Sequence, residues 1–154
     1  MPQRRTIEAF MFQPRDASKL VLFRIAFGIL MGLETFKYIL AGWVRTQYLE
    51  PQLLFKFYGF SWVGLLPAPL LYALFVGTAL AGFSLAAGLY YRTSCVLFGL
   101  GHSYIFLVAS SYYLNHAYLI SLVSFTMAFL PANRSLSVDC WRNSKLYSLS
   151  LIHI

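Results

Sequence analysis

The most constraining feature of the sequence is residues 70–91, a run that contains no charged side chain. About 20 helical residues cross a hydrocarbon core about 30 Å thick, so the run is long enough for one transmembrane helix. It is rich in glycine and alanine, and such small residues let transmembrane helices approach closely. The run therefore predicts a membrane helix that packs against other helices.

Three further apolar runs, residues 20–40, 95–113 and 115–130, predict additional spans. The whole chain of 154 residues is 59% hydrophobic and only 11% charged, whereas a soluble domain has about 25% charged residues. Its mean hydropathy is +0.65. We predict an all-α integral membrane protein, a bundle of about four transmembrane helices that is part of a larger helical membrane domain.

The flanking and connecting segments differ in composition from these spans. Residues 1–19 show no signal-peptide pattern and are expected to form a cytosolic or interfacial lead-in to the transmembrane domain, residues 20–130. Residues 43–69 are broken by proline and glycine and carry many aromatic side chains, as expected of a linker at a membrane surface. Residues 131–154 form a polar tail without a fifth span, which we expect to be truncated.

Charged residues interrupt the first span. Glu34 and Lys37 stand three residues apart and are expected to pair near one membrane surface. Arg24 stands near the other end and is expected to snorkel to the headgroups. Charges inside a membrane are functional candidates, and anchoring at the surfaces is the alternative. Gly28 and Gly32 form a GxxxG step, which favours close helix packing.

The third span begins after residues 92–94, which are interpreted as a tight turn. His102 lies near its middle, where a hydrogen-bonded interior side chain is favoured over a ligand-binding one. Cys95 lies in an apolar run and is expected to pack as a small hydrophobic side chain. Cys95 and Cys140 have no metal-site spacing, and no metal is predicted.

The net charge of +7 results from 12 basic and 5 acidic residues. Because the basic residues mostly flank apolar runs, lipid headgroups and not nucleic acid are their expected partners. Because basic residues concentrate on the cytosolic side of membrane proteins, we predict a cytosolic N-terminus, which leaves only Arg45 and Lys56 on the outer side. The same orientation places the aromatic linker and residues 115–116 on the outer side. The inner side then receives Arg4, Arg5, Arg15, Lys19, Arg92, Arg134, Arg142 and Lys145.

Asn115 and His116 form a polar pair at the start of the fourth span. Asparagine is a favoured helix N-cap, and histidine donates or accepts protons near neutral pH. Taken alone, the dipeptide favours helix capping over catalysis.

Four motifs resemble those of a known family. They are FRIAFG at residues 23–28, YRTSCVLF at 91–98, NHAYL at 115–119 and FLPANRSLSVD at 129–139. Over about residues 14–140 the sequence resembles the vitamin K-dependent gamma-carboxylases and their wider family, the horizontally transferred transmembrane domain (HTTM) proteins.

The resemblance implies an integral membrane enzyme of the carbon–carbon lyase class. Such enzymes use the reaction of reduced vitamin K, or another quinol, with oxygen to carboxylate a protein glutamate. Asn115 and His116 match a polar pair that is expected to hydrogen-bond or polarise the quinone. The family's catalytic lysine belongs to a later AGxxK helix, and neither Lys37 nor Lys145 matches it. The chain alone is therefore expected to be inactive.

A second hypothesis is a non-enzymatic multi-pass membrane protein that binds lipid, a quinone or a partner protein. The same small-residue spans and aromatic linker would serve that role. Formation of quinone epoxide distinguishes the two hypotheses.

Overall fold

The chain is described by a computed structural model at residues 18–51, 55, 57–60, 62–108, 115–132 and 136–142. Four α-helices follow one another there, a further helical stretch covers residues 138–142, and no β-strand lies in those ranges. This confirms the prediction of an all-α fold. The helices are α1 (Ser18–Leu40), α2 (Ala68–Ala87), α3 (Tyr91–Val108) and α4 (Asn115–Phe129), with a π-helix at Arg45–Leu49.

Several predictions concern residues outside this description. They are the lead-in up to residue 17, parts of the linker around residues 52–56, the end of the third predicted span after residue 108, and the tail from residue 143. Among the described helices, α2 is the one that is long and apolar enough to cross a membrane by length and composition. The other three crossings stay predictions.

Neighbouring helices are antiparallel. α1 meets α2 through Gly28 against Ala86 at one end and Tyr38 against Phe75 at the other, where the ring centroids lie 6.1 Å apart. A Cβ atom on Gly28 would lie 2.5 Å from the backbone nitrogen of Ala86. The GxxxG step thus brings α1 and α2 into backbone contact, as predicted.

The other two helix pairs continue the same up-and-down order. Gly101 of α3 lies against Thr78 of α2. The Tyr91 hydroxyl at the start of α3 donates to the Met127 carbonyl near the end of α4, at 2.6 Å. The bundle therefore has two ends: the Arg24 end, with the starts of α1 and α3, and the His116 end, with the starts of α2 and α4.

The turn between α2 and α3 lies earlier than predicted. Residues 92–94 are helical, and the chain reverses at Gly88, whose φ of +67° is the left-handed conformation that glycine adopts easily. The Leu89 N–H bonds the Ser84 carbonyl at 2.9 Å, which ends α2 in a Schellman motif. The predicted turn at residues 92–94 was wrong because Gly88, inside the apolar run of residues 70–91, already ends α2.

Residues 136–142, assigned to the polar tail from sequence, dock on this turn. The Asp139 carboxylate accepts hydrogen bonds from the Tyr90 and Tyr91 N–H groups at 3.0 and 2.9 Å. These donors belong to the first turn of α3 and have no partner inside the helix. Asp139 therefore caps α3 from a distant part of the chain, much as an N-cap side chain would.

Arg24 does not snorkel, which corrects the sequence-based prediction. Its side chain is fully buried, and its guanidinium donates to the carbonyls of Ala132, at 2.8 Å, and of Leu136. Both carbonyls follow α4 and are not used by helical hydrogen bonds. A buried charge is tolerated where such polar groups replace water, so Arg24 ties α1 to the segment after α4.

The close approach of α1 and α2 gives a stability prediction. Gly28→Ala would press a methyl group against the Ala86 backbone, which cannot rotate away. We expect a loss of about 2 kcal/mol, typical of an overpacked interior. Thermal unfolding in detergent measures it.

Gly77→Ala in α2 is the matched control, because no atom lies within 4 Å of the added Cβ. Gly77→Ala should be neutral or stabilising, since alanine favours the helix by up to about 1 kcal/mol. Equal melting temperatures for the two variants would contradict the close contact.

Candidate functional site

A cavity of about 370 Å³ opens between the four helices at the His116 end of the bundle. We call it the His116 cavity. Its walls are mostly apolar, with a few polar side chains among them. It is lined by Leu30, Met31, Glu34, Thr35, Tyr38, Tyr48, Phe75, His102, Ile105, Phe106, His116, Ala117 and Ile120.

The cavity results from how the helices pair. α1 packs on α2, α2 on α3 and α3 on α4, and no packing of similar extent joins α1 to α4 within the described residues. Arg24 holds α1 to the chain after α4 at one end only. At the other end α1 and α4 stay apart, and the His116 cavity lies between them.

His116 lies in the first turn of α4 and is exposed. Asn115 begins that helix, and its side chain lies outside the described part of the chain. The structure therefore places one member of the predicted pair in the cavity wall. The catalytic roles of Asn115 and His116 stay predictions.

His102 of α3 also lines the cavity and differs from expectation. Its ring stacks on Phe98 with centroids 5.6 Å apart and planes 11° from parallel. The ring lies close to the backbone of Ala117. Its Nε2 atom is buried and has no hydrogen-bond partner among the described residues. The expected hydrogen-bonded interior histidine therefore lacks a partner at one of its two ring nitrogens.

Glu34 reaches the cavity from α1. Its carboxylate pairs with the Lys37 ammonium at 3.0 Å, and both side chains are about half exposed. The ammonium also lies 5.4 Å from the centre of the Trp43 ring. The predicted Glu34–Lys37 pair is confirmed, and such an exposed pair contributes little stability.

The polar side chains of the cavity do not form a metal site. No group of three or more histidine, cysteine, aspartate or glutamate side chains close enough to hold an ion occurs in the described ranges. The Thr35 hydroxyl is already bound to the Met31 carbonyl at 2.9 Å. An apolar chamber with two imidazoles and one carboxylate suits an organic ligand that has a flat apolar body and a few polar atoms.

A second, larger concavity of about 660 Å³ lies between α2 and α3. Its wall is almost entirely apolar, and the hydroxyl of Thr78 there is bound to the Leu74 carbonyl at 2.8 Å. Leu97 and Leu100 in its wall are more than half exposed. It lacks the convergent polar groups of a specific site and resembles a lipid-facing groove.

Sequence reasoning missed Glu34 and His102 as cavity residues, although a signal was present. Glu34 shares one face of α1 with Tyr38, four residues on, and His102 shares one face of α3 with Phe106. Residues at such spacings line the same side of a helix. The pattern alone gives no information on which other helix that side faces.

The different exposure of the two histidines gives a chemical prediction. Diethyl pyrocarbonate modifies accessible imidazole nitrogens, so it should react with His116 much faster than with His102, whose Nε2 is buried. Mass spectrometry of the digested protein measures both rates. Equal rates would show that His102 is open to water.

Comparison with known proteins confirms the resemblance to the HTTM family. No solved structure matches the chain. The family model described as the HTTM domain matches residues 12–152, which is nearly the whole sequence. The chain therefore belongs to the HTTM domain family, whose members are membrane-associated.

Proposed function

We propose that this chain supplies the quinol-binding part of a gamma-carboxylase-like membrane enzyme. Reduced vitamin K or another hydroquinone would occupy the His116 cavity. The observation that carries the proposal is the cavity itself, an apolar chamber of about 370 Å³ with imidazoles in its wall. Pockets for small molecules have volumes of about 300–1,000 Å³ and a similar mixture of apolar walls and few polar groups.

The lining residues fit a hydroquinone in shape and in polarity. Phe75 and Phe106 place aromatic rings in the cavity wall, which suits a flat ring. The exposed imidazole of His116 offers a hydrogen-bonding group to a hydroxyl group. When bound, the hydroquinone supplies the electrons for the reaction with oxygen.

Three tasks then belong to the chain's own residues. The apolar walls exclude water from the ring. His116 hydrogen-bonds or polarises a ligand oxygen, as the family resemblance implies, and Asn115 shares that task. The Arg24 contacts keep α1 in place and so preserve the wall that carries Glu34.

The proposal extends to the partners of the site. A protein glutamate is the carboxylated substrate that the family resemblance implies, and the bilayer surrounds the helices. No lysine of this chain matches the family's catalytic base, so the chain by itself should bind hydroquinone without turning it over.

The alternative is a binder of lipid or quinone without catalysis. A protein that joins this chain to a helix with the family's lysine should form quinone epoxide, and His116→Phe should abolish that formation. Tight binding without epoxide would favour the alternative, and full activity of His116→Phe would refute the role of His116.

Binding of a ligand in the His116 cavity is tested by a substitution that fills the cavity with a larger side chain. Ile120→Trp in α4 would place an indole in the ligand volume. We expect it to weaken binding of a short-chain 1,4-naphthohydroquinone by about tenfold or more. Fluorescence quenching in anaerobic nanodiscs measures the affinity.

Leu119→Trp is the control, because Leu119 is a neighbour of Ile120 with an exposed side chain and no share in the cavity wall. Leu119→Trp should bind the probe as the unmodified protein does. Equal affinities for the two tryptophan variants would place the ligand elsewhere.

The orientation is part of the proposal. Basic side chains at the Arg24 end include Lys19, Arg92 and Arg142, and those at the His116 end include Lys37 and Arg45. Together with the basic residues near both termini of the sequence, this favours a cytosolic Arg24 end.

Thiol labelling in intact cells tests the orientation after both native cysteines are replaced. Tyr58→Cys should react with a membrane-impermeant maleimide, because Tyr58 is fully exposed in the linker. Trp141→Cys, at the Arg24 end, should react only after lysis. The reverse pattern would overturn the orientation.

A further inference from the structure

Residues 136–142 dock on the α2–α3 turn through polar and backbone groups. The Asp139 N–H donates to the Gly88 carbonyl at 3.2 Å, in addition to the contacts of its carboxylate. The Leu136 carbonyl accepts a hydrogen bond from Arg24. This docking leaves Leu136 79% and Trp141 62% exposed. The segment therefore adds exposed apolar side chains to the surface of the Arg24 end.

Three basic side chains are exposed at the same end of the bundle. Lys19 lies in the first turn of α1, Arg92 in the first turn of α3 and Arg142 in the docked segment. Neither Lys19 nor Arg92 forms an ion pair with a described residue. Asp139 is the one acidic residue described at this end, and it is buried beneath the docked segment. The exposed surface of the Arg24 end therefore carries an excess of positive charge.

The Arg142 guanidinium is held in place by its neighbours. It lies 4.6 Å from the centre of the Tyr90 ring, and its nearest contact with the Asp139 carboxylate is 3.7 Å. The side chain is still about half exposed, so N–H donors remain for a further acceptor. A planar guanidinium binds phosphate oxygens through two parallel hydrogen bonds. Arg142 is thus positioned to bind a phosphate group at the surface.

We infer that the Arg24 end binds the headgroup of an anionic phospholipid. The surface that binds it is called the basic platform and consists of Lys19, Tyr90, Arg92, Leu136, Trp141 and Arg142. Arg142 donates to the headgroup phosphate, and Arg92 and Lys19 attract its net negative charge. Leu136 and Trp141 contact the glycerol and the upper part of the acyl chains. The basic platform lies opposite the His116 cavity, so the inference goes beyond the proposed function and does not depend on it.

The charge of the basic platform favours an anionic lipid over a zwitterionic one. Phosphatidylcholine carries an ammonium group beside its phosphate and has no net charge. Phosphatidylglycerol has a net negative charge, and clustered basic side chains at a membrane surface attract such lipids. An acidic protein segment would also match the charge. A phospholipid suits the exposed Leu136 and Trp141 better, because it supplies an anionic group and apolar chains together.

Quenching of tryptophan fluorescence by brominated lipids tests the inference at the basic platform itself. Trp43→Phe and Trp62→Phe leave Trp141 as the one tryptophan of the chain. Nanodiscs would contain phosphatidylglycerol and phosphatidylcholine with matched acyl chains, one of the two lipids being brominated. We expect phosphatidylglycerol to quench Trp141 with about fivefold higher relative affinity. High salt should reduce that preference by screening the exposed charges.

A pair of substitutions removes the proposed phosphate contacts. Arg92→Gln combined with Arg142→Gln should abolish the preference for phosphatidylglycerol. The Asp139 caps remain, and a half-exposed ion pair contributes little stability, so an unchanged melting temperature checks the fold. Arg92→Gln alone loses no ion pair and should lower the preference in part, which keeps the test valid if the double variant does not fold.

Lys37→Gln combined with Arg45→Gln is the matched control, because it removes two basic side chains at the His116 end. This control should keep the preference. Its loss in the control would show a response to net charge alone and overturn the basic platform as the site.

The remaining outcomes separate the lipid from other partners. Equal relative affinities of the two lipids for the unmodified chain would overturn the inference and favour an acidic protein segment. A preference that survives in the Arg92 and Arg142 variants would also overturn it. Inorganic phosphate at constant ionic strength should leave the quenching unchanged, and displacement of the lipid by it would assign the surface to free phosphate. None of these results bears on hydroquinone binding.

Discussion

The fold of this chain depends on a buried guanidinium, whose two terminal nitrogens have hydrogen-bond partners while its Nε has none among the described residues. Arg24 lies in α1, and its hydrogen-bond partners, the carbonyls of Ala132 and Leu136, lie more than a hundred residues further along the chain. Burial of a charge costs several kcal/mol unless polar groups replace its water. Both carbonyls can accept hydrogen bonds from Arg24 because they lie outside α4. Pro131 follows the end of α4, and Leu136 has a φ of +47°, which is outside right-handed helical geometry.

This contact explains where the cavity lies. The helices pair in sequence order through small residues, which brings α1 against α2 and α3 against α4. Arg24 closes the gap between the first and last helices at one end, and the docking of Asp139 on the α2–α3 turn strengthens the same end. The opposite end stays open, and the polar side chains of α1, α3 and α4 meet there.

Residue patterns predicted the parts of this structure that depend on local spacing. The helical character of the apolar runs, the Gly28 contact and the Glu34–Lys37 pair follow from intervals of three or four residues. The burial of Arg24 was not predictable in the same way, because a long side chain near a helix end suits both snorkelling and a distant carbonyl. Only the folded chain brings Ala132 to it.

The candidate site was predictable in part for similar reasons. The family resemblance drew attention to Asn115 and His116, and His116 does line the cavity. His102 was visible as a polar residue inside an apolar helix. The burial of its Nε2 atom without a hydrogen-bond partner results from helix packing, which the sequence pattern does not show.

We propose above that a hydroquinone binds between α1, α3 and α4 at the His116 end. Photo-crosslinking with a diazirine-bearing 1,4-naphthohydroquinone in nanodiscs, followed by peptide mapping, tests it most directly. We expect labels on residues 102–106 and 116–120, suppressed by excess unlabelled hydroquinone. Labels confined to the lipid-facing groove at Leu97 and Leu100, or labels that excess hydroquinone does not suppress, would contradict it.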